Sequence, residues 1–394
     1  MKTILKWSLL IICFGSMIAS CNKNNKDIED KILPEELDCN SLSSDRTLRN
    51  DPNKPIDYIL KCGVVPVLGR ITIEPGTVIS VEDDGGFAVV GNGALNAIGT
   101  SANPIVFTGV TKQNGSWRGI YFETSSINNV LENCRVEYAG GQAFNSNNDK
   151  GAIVIWASAR ARIENSEISH SEHAGLNMVY NNANVTLANN SFSNTKGVPI
   201  HTVMNNVHFI QSSNSFINNQ DSYILCESGT LVGGQTLRKL SIPYRFRKSP
   251  FNHGATVEDG TFTIDKGVNI EVENSAYILI NSNGALRMNG TADEPIVVQG
   301  VEKIPGSWTG FYFTFTSSIN NVMEHVTIQH AGDGTEQGKG AITMWANPRL
   351  RVQNCTFRDI GACGFYNYSG NVNPNLTQSN NTFSNVSNGD ICGE

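Results

Sequence analysis

The residues best suited to chemistry come as two matched sets. Lys150 precedes Gly-Ala-Ile, and Lys339 precedes the same tripeptide. Beyond them run Trp156-Ala-Ser-Ala-Arg160-Ala-Arg162 and Trp345-Ala-Asn-Pro-Arg349-Leu-Arg351. A lysine that takes a proton, with an arginine that holds developing enolate charge, is the equipment of a lyase cleaving uronate-containing glycans. On that reading the pairs are Lys150 with Arg162 and Lys339 with Arg351. The same segments have a use without catalysis. An exposed Trp stacks a sugar ring while Arg holds carboxylate or sulfate, which makes Trp156, Arg160, Arg162, Trp345, Arg349 and Arg351 ligand-binding candidates. Strand alternation points Ala161 and Leu350 inward and the arginines outward. Val154 aligns with Thr343, so that parity, which Trp156 shares, also faces out. The plain structural alternative is a Trp capping a corner and Arg162 paired with carboxylates such as Glu164. Structure ranks first, ligand surface second and catalysis third.

Other polar groups carry less. His170 and His173 lie close together, but Asp359 and Ala362 stand at the matching positions, so no metal site is expected there. Trp117 and Trp308 sit in Gly-Ser-Trp-x-Gly, which reads as a coil-start motif, and Glu132 and Glu324 read as solvated strand ends. None of the nine cysteines falls in a zinc spacing. Cys134 and Cys355 read as buried thiols. Cys39 with Cys62 is the best candidate disulfide, and the pairing of Cys226 and Cys392 stays open. No cofactor is expected.

An internal repeat must position these groups. Gly115-Ser-Trp117-Arg-Gly119-Ile-Tyr-Phe122 reappears as Gly306-Ser-Trp308-Thr-Gly310-Phe-Tyr-Phe313, 191 residues on. Ser125 to Val130 matches Ser317 to Val322 at 192, and Gly151-Ala-Ile matches Gly340-Ala-Ile at 189. Inside each copy Asn165-Ser-Glu-Ile, Asn190-Ser-Phe-Ser and Asn214-Ser-Phe-Ile recur at 25 and 24 residues. A period near that length suits one coil of a parallel β-helix, in which each strand lies on the previous coil's strand at about 4.8 Å. Asn at the turns tolerates left-handed backbone, and its amide can bond its counterpart one coil away. The chain holds 37 glycines, and 16% of its residues are charged. Helical 3.6-residue patterning is absent. The expected fold is all-β: a right-handed parallel β-helix built from two tandem units.

With Ile71-Thr-Ile-Glu-Pro-Gly-Thr-Val-Ile79, Pro104-Ile-Val-Phe-Thr108 and Val136-Glu-Tyr-Ala-Gly140 in view, residues 39–392 resemble the right-handed β-helix repeat proteins of bacterial cell surfaces. The resemblance implies fold rather than activity, because the shared residues build coils. Relatives similar to polygalacturonase carry Asn-Thr-Asp, Asp-Asp and Gly-His-Gly. Only Asp83-Asp84 appears here, in a turn and without partners, so paired-carboxylate hydrolysis is not expected.

The N-terminus sets location. Lys2 and Lys6 precede an apolar run too short to span a bilayer, and Ala19-Ser20-Cys21 follows. This resembles a bacterial lipobox, which implies a diacylglycerol on Cys21. Lys26-Asp-Ile-Glu-Asp30 is similar to the acidic export signals of Bacteroidetes surface lipoproteins. The expected layout is a signal peptide at 1–20, a lipidated Cys21 with a flexible tether at 21–38, and units at 39–225 and 226–394. The expected place is the outer membrane, facing outward. A net charge of −7 with no basic block argues against nucleic acid. The partners expected are the membrane, through the lipid, and an extracellular glycan or protein, bound by a monomer. Two like sites on one rod would add avidity. The favoured role is binding or adhesion; a uronate lyase and a structural spacer are the alternatives.

Overall fold

The computed structural model describes residues 33–251, 253–370 and 373–393. The signal peptide, Cys21 and the acidic export segment lie outside the described residues.

Alternation builds each strand. In Arg70–Ile73 burial alternates, with Ile71 and Ile73 inside and Arg70 and Thr72 facing water. A strand with one apolar row cannot bury it alone, so it stacks in parallel on its neighbours. Ile120 sits between Phe87 of the preceding coil and Ile153 of the next. The interior fills with such rows, including stacked pairs such as Phe192–Phe216 and Phe357–Phe383, whose ring centroids are 5.8 and 4.9 Å apart. Phe192 and Phe357 are fully buried. Trp117 and Trp308 are also fully buried, each donating its indole N–H to a backbone carbonyl, Glu137 or Gln329, at 2.8 Å. They are interior residues that close a corner.

The turns explain the asparagines. Strand Cys134–Glu137 is bracketed by Asn133 and Tyr138, both with positive φ. Glu167–Ser169 is bracketed likewise by Asn165 and His170, and Ser191–Ser193 by Asn189 and Asn194. Left-handed backbone costs Asn less than most residues. The strand register corrects the sequence alignment by one position: Glu167 lies on Ser191, so Asn165 stacks with Asn189 rather than Asn190. Asn190 and Asn214 belong to a separate, buried row that begins with Cys134 and Ser166. Along it Ser166 N–H donates to Asn190 Oδ1 at 3.0 Å, and Asn190 N–H donates to Asn214 Oδ1 at 3.0 Å. The expected rung-to-rung amide bonding thus occurs in this inner row.

Around the axis the coil has three sides. In the N-terminal half these are an eight-stranded sheet ending at Ser215–Ile217, a thirteen-stranded sheet beginning at Val64–Val67, and a six-stranded sheet ending at Asn184–Ala188. In the C-terminal half the thirteen-stranded sheet continues, and an eleven-stranded sheet covers the other two sides. Its strands His253–Ile264 and Tyr277–Asn289 run unbroken round a corner.

The sequence-matched strands do not keep the same side. Ile105–Gly109 lies in the eight-stranded sheet, but its match, Ile296–Gly300, lies in the thirteen-stranded one. Gly119–Phe122 lies in the thirteen-stranded sheet and its match, Gly310–Thr314, in the eleven-stranded one. The second half is therefore stepped round the axis by one side. The six-stranded side loses its strand at the 3-10 turn Met204–Phe209, followed by Ile210, which bridges to Leu187 where a further strand of that sheet would lie.

Two expected boundaries differ from the structure. Glu35–Leu37 already pairs with Tyr58–Leu60, so the coil starts inside the expected tether of 21–38. Ile224–Glu227 pairs on both sides within the thirteen-stranded sheet, so residue 226 marks no break. Cys39 and Cys62 form a disulfide with Cα atoms 5.4 Å apart, and Cys363 and Cys392 form another at 6.1 Å. Cys134, Cys226 and Cys355 are buried thiols. Burial pushes Cys134 up to about 12 and Cys355 up to about 11, so both stay protonated.

Candidate ligand groove

Strand parity at the arginines is as expected: Ala161 and Leu350 are buried, and Arg160 and Arg349 are exposed. The catalytic pairing fails on which side each residue occupies. Lys150 leads into Ile153–Ile155 of the thirteen-stranded sheet, whereas Arg162 lies in Arg160–Glu164 of the six-stranded sheet, round the next corner. Arg162 is moreover clamped by Glu132 at 2.7 Å and Glu164 at 2.6 Å. Glu132 is thus a half-buried ion-pair partner rather than a solvated strand end. In the second half Lys339 leads into Gly340–Trp345, while Arg351, in the separate strand Leu350–Gln353, donates to Gln353 Oε1 at 2.6 Å. Neither half brings the lysine and arginine of the lyase reading together.

Each tryptophan and its arginines stand on opposite sides of a turn. Ala157 and Ala346 take positive φ directly after the tryptophans, which turns the chain before either arginine. Each Trp instead meets a Tyr from the next coil. Trp156 lies edge-on to Tyr180 at 5.9 Å, and Trp345, 42% exposed, tilts against Tyr368 at 4.8 Å. Sequence reasoning missed both tyrosines, although they recur 188 residues apart. Val154, expected to face water, is fully buried although its parity is outward.

Beside Trp156 the thirteen-stranded sheet carries a groove of about 460 Å³. The rung register lines up Val154, Asn177, His201, Leu225 and Arg245 on its outer face. The segment 141–150 forms one wall. Phe144 in it stacks on Tyr121 at 5.2 Å, and Asp149 accepts from Tyr180 Oη at 2.8 Å and Asn145 Nδ2 at 2.7 Å. The far wall is Asp221 and Tyr223, with the Arg245 guanidinium 3.5 Å from the Tyr223 ring centre. Lys150, which makes no ion pair among the described residues, and His173 stand at the rim. Partial burial, then the nearby Lys150 charge, hold His173 below its ordinary range and so neutral at pH 7.

Asn177 is the groove's unanswered group. It is 5% exposed and donates to Lys150 O at 3.1 Å, but its Oδ1 has no partner. A buried acceptor left unpaired costs about 1–3 kcal/mol. His201, one rung on, is held by Glu227 at 2.8 Å. His170 does not join His173: it takes positive φ and stacks on Tyr138 at 4.9 Å. No cluster of His, Cys, Asp and Glu suited to a metal occurs among the described residues. The groove's residues offer hydrogen bonds, one free cation and aromatic faces.

Two family models match the chain: "Right handed beta helix region" over residues 93–239, and "Pectate-lyase like beta helix domain" over residues 253–343. They agree with the coil geometry, and the fold is a right-handed parallel β-helix. No curated protein and no solved structure matches the chain.

Proposed function

We propose that this β-helix is a non-catalytic glycan-binding protein, held at the outer face of a bacterial outer membrane by a lipid on Cys21. The observation that carries the binding reading is the groove around Asn177. Asn177 Oδ1 lies unpartnered just beneath its floor, Lys150, in no ion pair among the described residues, supplies a cation at the rim, and Tyr223 offers an aromatic wall. Sugars present hydroxyl donors, C–H faces for stacking and, where acidic, an anion for the lysine, so all three features meet one class of ligand. Catalysis by elimination has less support, because the arginine it needs lies on another side and is neutralised by two glutamates.

Affinity electrophoresis through gels containing acidic and neutral polysaccharides tests this. Retardation by at least one glycan is expected, reduced by Lys150→Ala and by Tyr223→Ala. Unretarded migration across the panel, or retardation that both variants leave intact, overturns the groove. Growth of unsaturated-product absorbance on uronate polysaccharides overturns the non-catalytic part. Cys21→Ala is expected to move the protein out of the membrane fraction, and unchanged partitioning rejects the anchor.

A further inference from the structure

The C-terminal half carries a second aromatic surface that lies on a different sheet from the groove. On the eleven-stranded sheet, outward positions of successive coils hold His253 and Tyr277 in one register, then Tyr312, two residues along the strand on Leu279, and, beyond Thr343, Tyr366 with Tyr368. His253 and Tyr277 are 4.9 Å apart between ring centres, and Tyr277 and Tyr312 are 6.2 Å apart. Above Thr343, Tyr366 and Tyr368 are 5.0 Å apart, and Trp345 lies 4.8 Å from Tyr368. His253, Tyr277, Tyr312 and Tyr368 are half-buried, each keeping part of its ring in solvent. The row crosses the strands and climbs the rod over roughly 19 Å, four rung spacings, with a two-residue sidestep between Tyr277 and Tyr312.

The matched face of the first half is closed. Tyr121 corresponds to Tyr312, yet Tyr121 is only 6% exposed because Phe144 lies over it. The second half has a shorter segment at that place, with seven residues between Gly332 and Gly340 against ten between Gly140 and Gly151. That segment folds on itself through Gly334 N–H to Gly338 O and contains no aromatic residue. Among the described residues, Lys339 is the cation seated on the row's rings, 4.7 Å from the Tyr368 ring centre, and it lies 3.8 Å from Glu336, whose charge offsets it. Burial raises Tyr277 and Tyr312 above the ordinary phenol range, so both hydroxyls stay neutral donors.

We infer that this row is a second glycan-binding face, taking an uncharged polysaccharide chain laid along the rod axis with successive sugars over successive rings. Tyrosine rings packed edge to face, with neutral hydroxyls, suit the C–H faces and hydroxyls of pyranoses, and the balanced charge gives an anionic chain no preference. This inference does not depend on the groove, which lies on another sheet.

The test is affinity electrophoresis of the full chain in gels containing xylan, glucomannan or hydroxyethylcellulose, followed by calorimetric titration with oligosaccharides of increasing length from whichever gel retards it. Retardation in at least one neutral gel is expected, with affinity rising with oligosaccharide length. Tyr312→Ala should weaken binding about tenfold, while Tyr312→Phe, which keeps the ring, should bind as wild type. Circular dichroism and the melting temperature check that the variants fold, and Tyr277→Ala is a second probe. No retardation in any neutral gel overturns the inference. So does retardation that both alanine variants leave unchanged, or that Lys150→Ala abolishes, since Lys150 belongs to the groove.

Discussion

Asn214 shows how one side chain can hold two coils. Its Oδ1 accepts from Asn190 N at 3.0 Å and Asn190 Nδ2 at 3.1 Å, and its Nδ2 donates to Leu187 O at 2.9 Å. Replacing it with Ala leaves the buried Asn190 N–H unanswered and leaves Leu187 O only its long bond from Gln211 N–H, so Asn214→Ala should cost about 2 kcal/mol in chemical denaturation; a loss near zero would mean that water takes over the row. Glu227 gives a residue-scale pH dependence. The His201 hydrogen bond first, then the His201 and Arg247 charges, hold its carboxyl below the ordinary value of 4.5. Its contribution is therefore present above pH 4.5 and lost as pH falls through the lower folded value. Glu227→Gln should flatten the stability profile on the acid side of that point, and an unchanged profile refutes the assignment. Much at this scale was legible in the sequence, because a two-residue alternation fixes which way Ala161 and Leu350 point. Tyr180 and Tyr368 were not, since they reach Trp156 and Trp345 from another coil, and no local pattern records that approach.

The coil-start motif shows what an element needs. In Gly-Ser-Trp-x-Gly the last glycine has φ of 116° at Gly119 and 121° at Gly310. A Cβ there would stand 2.4 Å from Ala152 O, or 2.6 Å from Ala341 O. Both the backbone region and the space exclude a side chain, so the motif is a steric requirement of the coil as well as a seat for Trp117 and Trp308. Gly310→Ala should lower stability by at least about 2 kcal/mol, read by thermal or chemical unfolding, and a stability equal to wild type would show that the corner relaxes cheaply. The segment 141–150 illustrates the limit of sequence reading. The drop in repeat offset from 192 to 189 marks it as the longer loop. Only the packing of Phe144 over Tyr121 shows that its length closes a face. The lysine and arginine of the lyase reading failed for a similar reason. Alternation says whether a residue faces in or out, but the turn after Trp156 decides on which of three sides the next strand lies.

At the scale of the whole molecule the sheets disagree about where the rod divides. The eight-stranded and six-stranded sheets stop near the middle, while the thirteen-stranded sheet passes through. The apolar interior also passes through, with Ile200, Met204, Ile224, Leu237 and Tyr244 all in one buried cluster. Because neighbouring coils share core across the step, heating should give one cooperative transition in calorimetry. Two separated transitions would show that the interrupted sides uncouple the halves. The coil period was readable from spacing alone. The step was not, because a repeat of sequence carries no record of the angle at which it stacks.

That step governs what a partner can touch. The corner that carries Trp156 and the corner that carries Trp345 look out in different directions, like two lamps set round a post. A flat, stiff surface such as a crystalline fibre can therefore lie against only one of them at a time, so the gain from doubled contacts is denied to it. A supple strand that winds as it climbs can meet both, so on the proposed glycan-binding reading the protein selects for a flexible ligand.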